Sequence, residues 1–213
     1  MLFALFLLLQ QLPSTLAKPE IVSFQNGSLT LHGVLYTPEG RGPFPGLIYN
    51  HGIAPGMLNR QAFDELGPLF ARRGWVFFAP YRRGQGLSAA AGPFIGDEIA
   101  AARNRGIWLA LCVTIPLLLL LFLAIARRRR ARRRLLWGVA FAMFAAFVVQ
   151  LSGSRAGAAA MVRLLETEHL SDQLAALEWL KAQSVVHADR IATAGNSFGG
   201  IEAVLGVERT SYC

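Results

Sequence analysis

The stretch Ile191-Ala192-Thr193-Ala194-Gly195-Asn196-Ser197-Phe198-Gly199-Gly200 decides how this chain is read. A short apolar run of this kind suits a buried strand, and Gly-x-Ser-x-Gly follows it directly. A chain passing from strand to helix at such a pattern must turn sharply. Flanking glycines leave room for the strained turn, and the serine hydroxyl is lifted above the sheet edge. A hydroxyl held there can act as a nucleophile if a base stands beside it. The plainer alternative is a glycine-rich turn with a solvent-facing serine.

Outward from this pattern, 213 residues suffice for one substantial core, so a single domain is the starting expectation. The net charge of +8 invites a nucleic-acid reading, but its distribution speaks against one. Seven of the twenty-one basic residues lie in one run, Arg127 to Arg130 and Arg132 to Arg134, without which the formal charge falls to +1. No other basic stripe remains to track a phosphate backbone. Nucleic acid is therefore not expected as a partner.

The run sits between two apolar stretches, 107–126 and 135–153, of twenty and nineteen residues. Each is long enough to cross a hydrocarbon layer of about 30 Å as a helix. Trp108 and Trp137 lie near the segment ends, where indoles favour the headgroup region. A transmembrane hairpin over 106–153 with an arginine-rich loop at 127–134 follows. The alternative, two buried helices of a soluble domain, leaves seven clustered arginines unexplained. Gly138, Ala142 and Ala146 recur every four residues and could form a close-packing face against the first helix, or simply reflect an alanine-rich segment.

Residues 1–9 are apolar, and Thr15-Leu16-Ala17 resembles a signal-peptidase site, so 1–17 reads as a signal peptide lacking a basic start. The positive-inside rule then holds the arginine loop in the cytoplasm and puts the flanking parts outside it. The arginines could also meet anionic lipid headgroups. Cys112 falls within the first apolar stretch and Cys213 is the last residue, so free thiols are expected.

Between these features the chain alternates strands and helices. Residues 21–25 and 28–36 around Asn26-Gly27 suggest an antiparallel hairpin. The apolar run Gly46-Leu47-Ile48-Tyr49 ends at Asn50-His51-Gly52. A helix fits 61–73, with Gly67-Pro68 inside it and Gly74 after it. Trp75-Val76-Phe77-Phe78-Ala79 is the next buried strand. Ser171 or Asp172 can cap a helix carrying Leu174, Leu177 and Leu180. The fold class is α/β: a hairpin, then a parallel sheet with flanking helices.

Several linked motifs now resemble one family. They are Gly42-Pro43-Phe44-Pro45, Asn50-His51-Gly52, Pro80-Tyr81-Arg82-Arg83-Gly84-Gln85-Gly86-Leu87-Ser88, Asp189-Arg190-Ile191 and the run from Gly195 to Gly200. In this order they resemble the dienelactone-hydrolase and prolyl-oligopeptidase-like (peptidase S9-type) branch of the α/β-hydrolases. The likeness covers about 18–105 and 155–210, two parts of one hydrolase domain (18–105 and 154–213) interrupted by the hairpin. It implies a serine hydrolase acting on an ester or amide of a small molecule or peptide. Ser197 would be the nucleophile, and the N–H groups of Phe198 and of Gly52 or Ile53 would form the oxyanion hole.

His51 reads as a structural loop residue in that motif. Arg82 and Arg83 would lie near the active-site rim. There a solvated loop or an ion pair is the ordinary role, and contact with an anionic substrate group the sharper one. Asp97 and Glu98 carry no catalytic mark. His32, His51, His169 and His187 lack metal-ligand spacing, so neither metal nor cofactor is expected. The family's order, serine then acid then histidine, is not completed. After Ser197 come only Glu202, in the helix that follows it, and Glu208, with no histidine. The expectation is a hydrolase fold incomplete at its C-terminus, lacking triad acid and base. The alternative is an inactive membrane protein that keeps a hydrolase-like half-domain for interaction. Oligomeric state is left open.

Overall fold

The computed structural model describes residues 18–53, 60–126 and 131–210. The signal-peptide reading at 1–17, part of the arginine loop (127–130) and Cys213 fall outside the described residues. Two compact units emerge, Met1–Ala91 together with Ser171–Cys213, and Gly92–Leu170.

The first unit is built on a mixed five-stranded sheet in the order β1-β2-β4-β3-β5. Its strands are β1 (Glu20–Asn26), β2 (Leu29–Tyr36), β3 (Phe44–Asn50), β4 (Val76–Pro80) and β5 (Val186–Gly195). β1 and β2 form the expected antiparallel hairpin. Asn26 pairs with Leu29, so the two-residue loop is Gly27-Ser28 rather than Asn26-Gly27. Gly27 opens it at φ 59°, a conformation that glycine adopts freely. β2 is antiparallel to β4, whereas β3 runs parallel to both β4 and β5.

β4 lies in the middle, and all five of its residues are buried. Its side chains alternate between two cores, as the period of a strand dictates. Val76 and Phe78 join Phe24, Leu31, Ile48, Ala176 and Leu180 on one face. Phe77 and Ala79 join Tyr36, Leu47, Phe63 and Tyr81 on the other. Burying each of these phenylalanines contributes about 2–3 kcal/mol.

Helix α1 (Arg60–Ala71) supplies Phe63 and Ala71 to the second core. It runs through Gly67 and Pro68 without a break. Gly67 is required there, because any side chain would run into the Tyr36 ring. The helix Glu168–Lys181 brings Ala176 and Leu180 to the first core. It begins before the expected caps. Ser171 and Asp172 lie inside it and bind Asn26 instead, at 2.9 and 2.7 Å. A further helix, Phe198–Arg209, buries Phe198, Gly199, Glu202, Ala203 and Gly206 along one stripe.

The second unit contains two long helices, Ile95–Ala126 and Ala131–Glu166. In chain order the helices are therefore α1, α2 (Ile95–Ala126), α3 (Ala131–Glu166), α4 (Glu168–Lys181) and α5 (Phe198–Arg209). At about 1.5 Å per residue, α2 and α3 extend for roughly 50 Å each. Both are long and apolar enough to cross a membrane. α2 continues through Pro116.

The two helices pack antiparallel: Gly106 lies against Ser152 and Ala156, Gly153 against Ile107, and Gly138 beside Phe122. Their tight approach is at Gly106 and Gly153, where a methyl group would clash across the pair. Along the stripe Gly138, Ala142, Ala146 the approach is looser. Ala142 and Ala146 are exposed, and Gly138 and Ala142 border an open groove shared with Phe122 and Leu119.

Candidate active site

β3 and β5 are in register to their ends, with Tyr49 opposite Ala194 and Asn50 opposite Gly195. The loop after β3 and the turn after β5 therefore lie side by side at the carboxyl ends of parallel strands, where ligands of open α/β sheets bind. Ser197 stands in that turn at φ 53°, ψ −123°. It is the only non-glycine residue with positive φ among the described residues. Such a conformation persists only where the surroundings enforce it.

Here the enforcement is visible. A side chain at Gly195 or Gly199 would collide with the Asn50 carbonyl. Asn196 N–H donates to Asn50 O at 3.2 Å, while Gly199 N–H donates to Asn196 O at 3.0 Å. α5 thus begins directly beneath Ser197, whose own carbonyl accepts from Gly200 and Ile201 at 3.0 and 3.3 Å. The serine side chain is exposed and does not cap the helix.

The other residues expected at the site converge on this turn. Gly52 N–H donates to Asn196 Oδ1 at 3.0 Å. Gly52 is thereby corrected as a candidate oxyanion donor, since its N–H is already engaged. Ile53, half-buried, is the next amide along. Phe198 is buried at the first position of α5, and its ring lies 5.0 Å from the Arg82 guanidinium carbon.

Arg82 is the centre of the polar packing beneath the site. It is 5% exposed, and Glu202, with which it forms an ion pair, is fully buried. Its Nε donates to Gln85 Oε1 at 3.1 Å. Its Nη2 donates to the carbonyls of His51 at 2.7 Å and Gly52 at 2.9 Å. Both Nη2 protons are thus used, so His51 Nδ1, 2.8 Å from Gly52 O, is assigned the proton it donates there.

Burial pushes the Glu202 carboxyl up to about 7, against the opposing pull of Arg82 and with a smaller push from Asp172. Burial likewise lowers Arg82, which Glu202 counters. The neighbouring Arg83 turns to Asp172 instead, with Nε at 2.9 Å and Nη2 at 2.6 Å from its carboxylate. Both arginines are therefore committed to ion pairs, the ordinary role weighed for them. His51 is buried against Tyr81 and Phe63, in keeping with a structural loop residue.

Spacing in the sequence does not reveal the Arg82–Glu202 pair, whose members lie 120 residues apart. A hint was available. Glu202 falls four residues after Phe198, on the buried stripe of a helix otherwise lined by small and apolar side chains. Asn196 was also missed, although its side chain ties the turn to the loop after β3. Among the described residues, no histidine or carboxylate hydrogen-bonds the Ser197 side chain, and no cluster suits a metal ion. A cavity of about 500 Å³ lies among α4, α5 and β5, lined by Leu177, Ile191 and Val207, and Ser197 is not part of its wall.

Residues 145–211 match the prolyl oligopeptidase family, Peptidase_S9. No curated protein matches the chain. Among solved structures, the chain is similar to DcsB in complex with its substrate analogue, at 11% identity and a TM-score of 0.52. That alignment covers 92% of this chain and 43% of the other. A 2,6-dihydroxy-pseudo-oxynicotine hydrolase is similar at 14% identity and a TM-score of 0.51, over 98% of this chain and 38% of that one. This chain thus spans less than half the length of either structure. These likenesses show the fold, and with the family match they agree with the resemblance carried by the sequence motifs.

Proposed function

We propose that this chain, with its α/β-hydrolase fold and its match to the prolyl oligopeptidase family, belongs to a membrane-tethered serine hydrolase that cleaves an ester or amide through an acyl-enzyme. The observation that carries this reading is the strained, exposed Ser197 at the β5–α5 turn, locked by glycines against the backbone of Asn50. Strain of this sort at a strand-to-helix turn has a use when it presents a nucleophile.

Ser197 Oγ attacks the substrate carbonyl carbon and gives its proton to a general base. The oxyanion that forms is held by the N–H groups of Phe198, at the start of α5, and of Ile53. Collapse expels the alcohol or amine, and water then releases the acid from Ser197 by the reverse sequence. Base and orienting acid are not drawn from the described carboxylates and histidines near the turn, since Glu202 is spent on Arg82 and His51 on Gly52.

The tether is the α2–α3 hairpin over the expected span 106–153. Its support is the two long apolar helices, many of whose leucines and phenylalanines point outward, and the arginine run at their junction, of which Arg132 to Arg134 lie in the first turn of α3. On this reading the arginine loop is cytoplasmic and the hydrolase parts are outside. Membrane lipid is then a partner of the hairpin.

The second reading is a non-catalytic membrane protein that keeps the hydrolase-like unit for interaction. It is favoured by the absence, among the described residues, of a histidine bonded to Ser197. A fluorophosphonate probe separates the two. On the hydrolase reading the native protein is labelled, and Ser197→Ala abolishes the label. A native protein that stays unlabelled under turnover conditions leaves the interaction reading in place.

A further inference from the structure

The geometry points to Arg82 as a positioning residue for the oxyanion hole: by gripping the His51 and Gly52 carbonyls it aims the Ile53 N–H at the space above Ser197. This rests on the reading of Ser197 as the nucleophile.

The argument begins with the trans peptide, in which C=O and the following N–H point in opposite directions. Arg82 Nη2 holds the His51 carbonyl at 2.7 Å, so the Gly52 N–H must point away from the guanidinium. It does, and meets Asn196 Oδ1 at 3.0 Å. The first peptide thus obeys the rule, and its far side faces the serine turn. Arg82 Nη2 also holds the Gly52 carbonyl, at 2.9 Å, with His51 Nδ1 as a second donor at 2.8 Å. By the same rule the Ile53 N–H is turned away from Arg82.

The other half of the proposed hole is tied to the same group. Arg82 pairs through Nη1 with Glu202, one helical turn beyond Phe198, and lies over the Phe198 ring. One planar guanidinium therefore fixes the loop after β3 and the first turn of α5 relative to each other. A lysine cannot do this, because a single ammonium cannot span a carboxylate and two carbonyls in a fixed fork. Gln85, which accepts from Nε at 3.1 Å, completes the orientation of the fork. Burial makes the arrangement stiff, since without Arg82 the Gly52 carbonyl would keep only His51 Nδ1 and the His51 carbonyl would lose its guanidinium donor.

The test uses the native protein and Arg82→Lys, with Arg83→Lys as control, because Arg83 is the neighbouring arginine and bonds the Asp172 carboxylate. For Arg82→Lys we expect kcat on a simple aryl ester to fall by about 10²-fold, with KM changed by no more than about twofold. Affinity for a boronic acid, which mimics the tetrahedral state, should fall in parallel. Arg83→Lys should stay within about twofold of wild type in kcat. Ile53→Pro, which removes the N–H without touching Arg82, should lose kcat to a similar extent. That variant decides the matter if Arg82→Lys does not fold.

Unchanged kcat in folded Arg82→Lys, or in Ile53→Pro, would overturn the inference. So would equal losses in both arginine variants. A crystal structure of Arg82→Lys gives a readout independent of turnover: a rotated Gly52–Ile53 peptide supports the positioning role, and an unchanged one sinks it. Failure of the hydrolase reading itself looks different. Ser197 would then stay unlabelled in the wild type, while the peptide orientation would still report on Arg82.

Discussion

The two compact units use similar apolar residues in opposite ways. In the sheet unit Phe77 and Phe78 have no exposed surface, whereas in the helical unit Leu120 is 67% exposed and Phe147 63%. Water penalises each such outward leucine or phenylalanine by about 2 kcal/mol, so on the membrane reading these outward side chains are matched to a different solvent. Polar groups follow the same inversion. The sheet unit buries charge in pairs, Arg82 with Glu202 and Arg83 with Asp172. In the helical unit the arginines Arg103, Arg105, Arg155 and Arg163 are exposed and lie outside the apolar stretches. The contrast teaches that composition alone misleads, and that the placement of charge along the chain tells the two units apart.

The sharpest way to break this contrast is at the turn. Gly199→Ala would drive a methyl group into the Asn50 and His51 backbone, which cannot yield as a side-chain tip could. We expect the sheet unit to lose about 4 kcal/mol or more in denaturant unfolding, with the hairpin's helicity retained. Comparable losses in both units would mean that they unfold as one.

Next comes pH. Burial lifts the Glu202 carboxyl from 4.5 to about 7, so between those values the folded state holds a proton that the unfolded chain has released. This contribution is fully present below about pH 4.5 and is lost as pH rises through 7. It is worth on the order of 3 kcal/mol. Glu202→Gln should flatten that part of the stability profile, as followed by urea midpoints between pH 4.5 and 8. An undiminished slope in the variant would assign it to another group.

Leu120→Arg probes the other unit. On the membrane reading it costs about 2.5–3.5 kcal/mol of insertion and raises the fraction extracted by alkaline carbonate. In water the same exposed site would tolerate the change within about 0.5 kcal/mol. The smallest effect is expected at Gly27→Ala. Nothing crowds that position, so only its φ of 59° is penalised, by about 1 kcal/mol in sheet-unit stability.

Much of the fold was legible because local chemistry encodes it. The hairpin around Gly27, the buried run of β4, the strand–turn–helix at Ser197 and the two long apolar helices all follow from short-range pattern and turn residues. Helix ends were less legible. Asp172 looks like a cap by type, and it is instead drawn inside α4 by Asn26 and by Arg83. Spacing alone does not say where two helices come closest: Gly138 does lie beside Phe122 of the partner helix, but the tightest approach is at Gly106 and Gly153.

The sequence by itself determined the α/β class, the strained serine turn and the two long apolar helices, since each depends on neighbours within a few residues. Only the tertiary structure decided that Gly52 spends its N–H on Asn196 and that Arg82 joins Glu202 across 120 positions. Pairings at that separation are set by the register of β3 against β5 and by where α5 lands. Those follow from packing of the whole sheet, which no single segment carries.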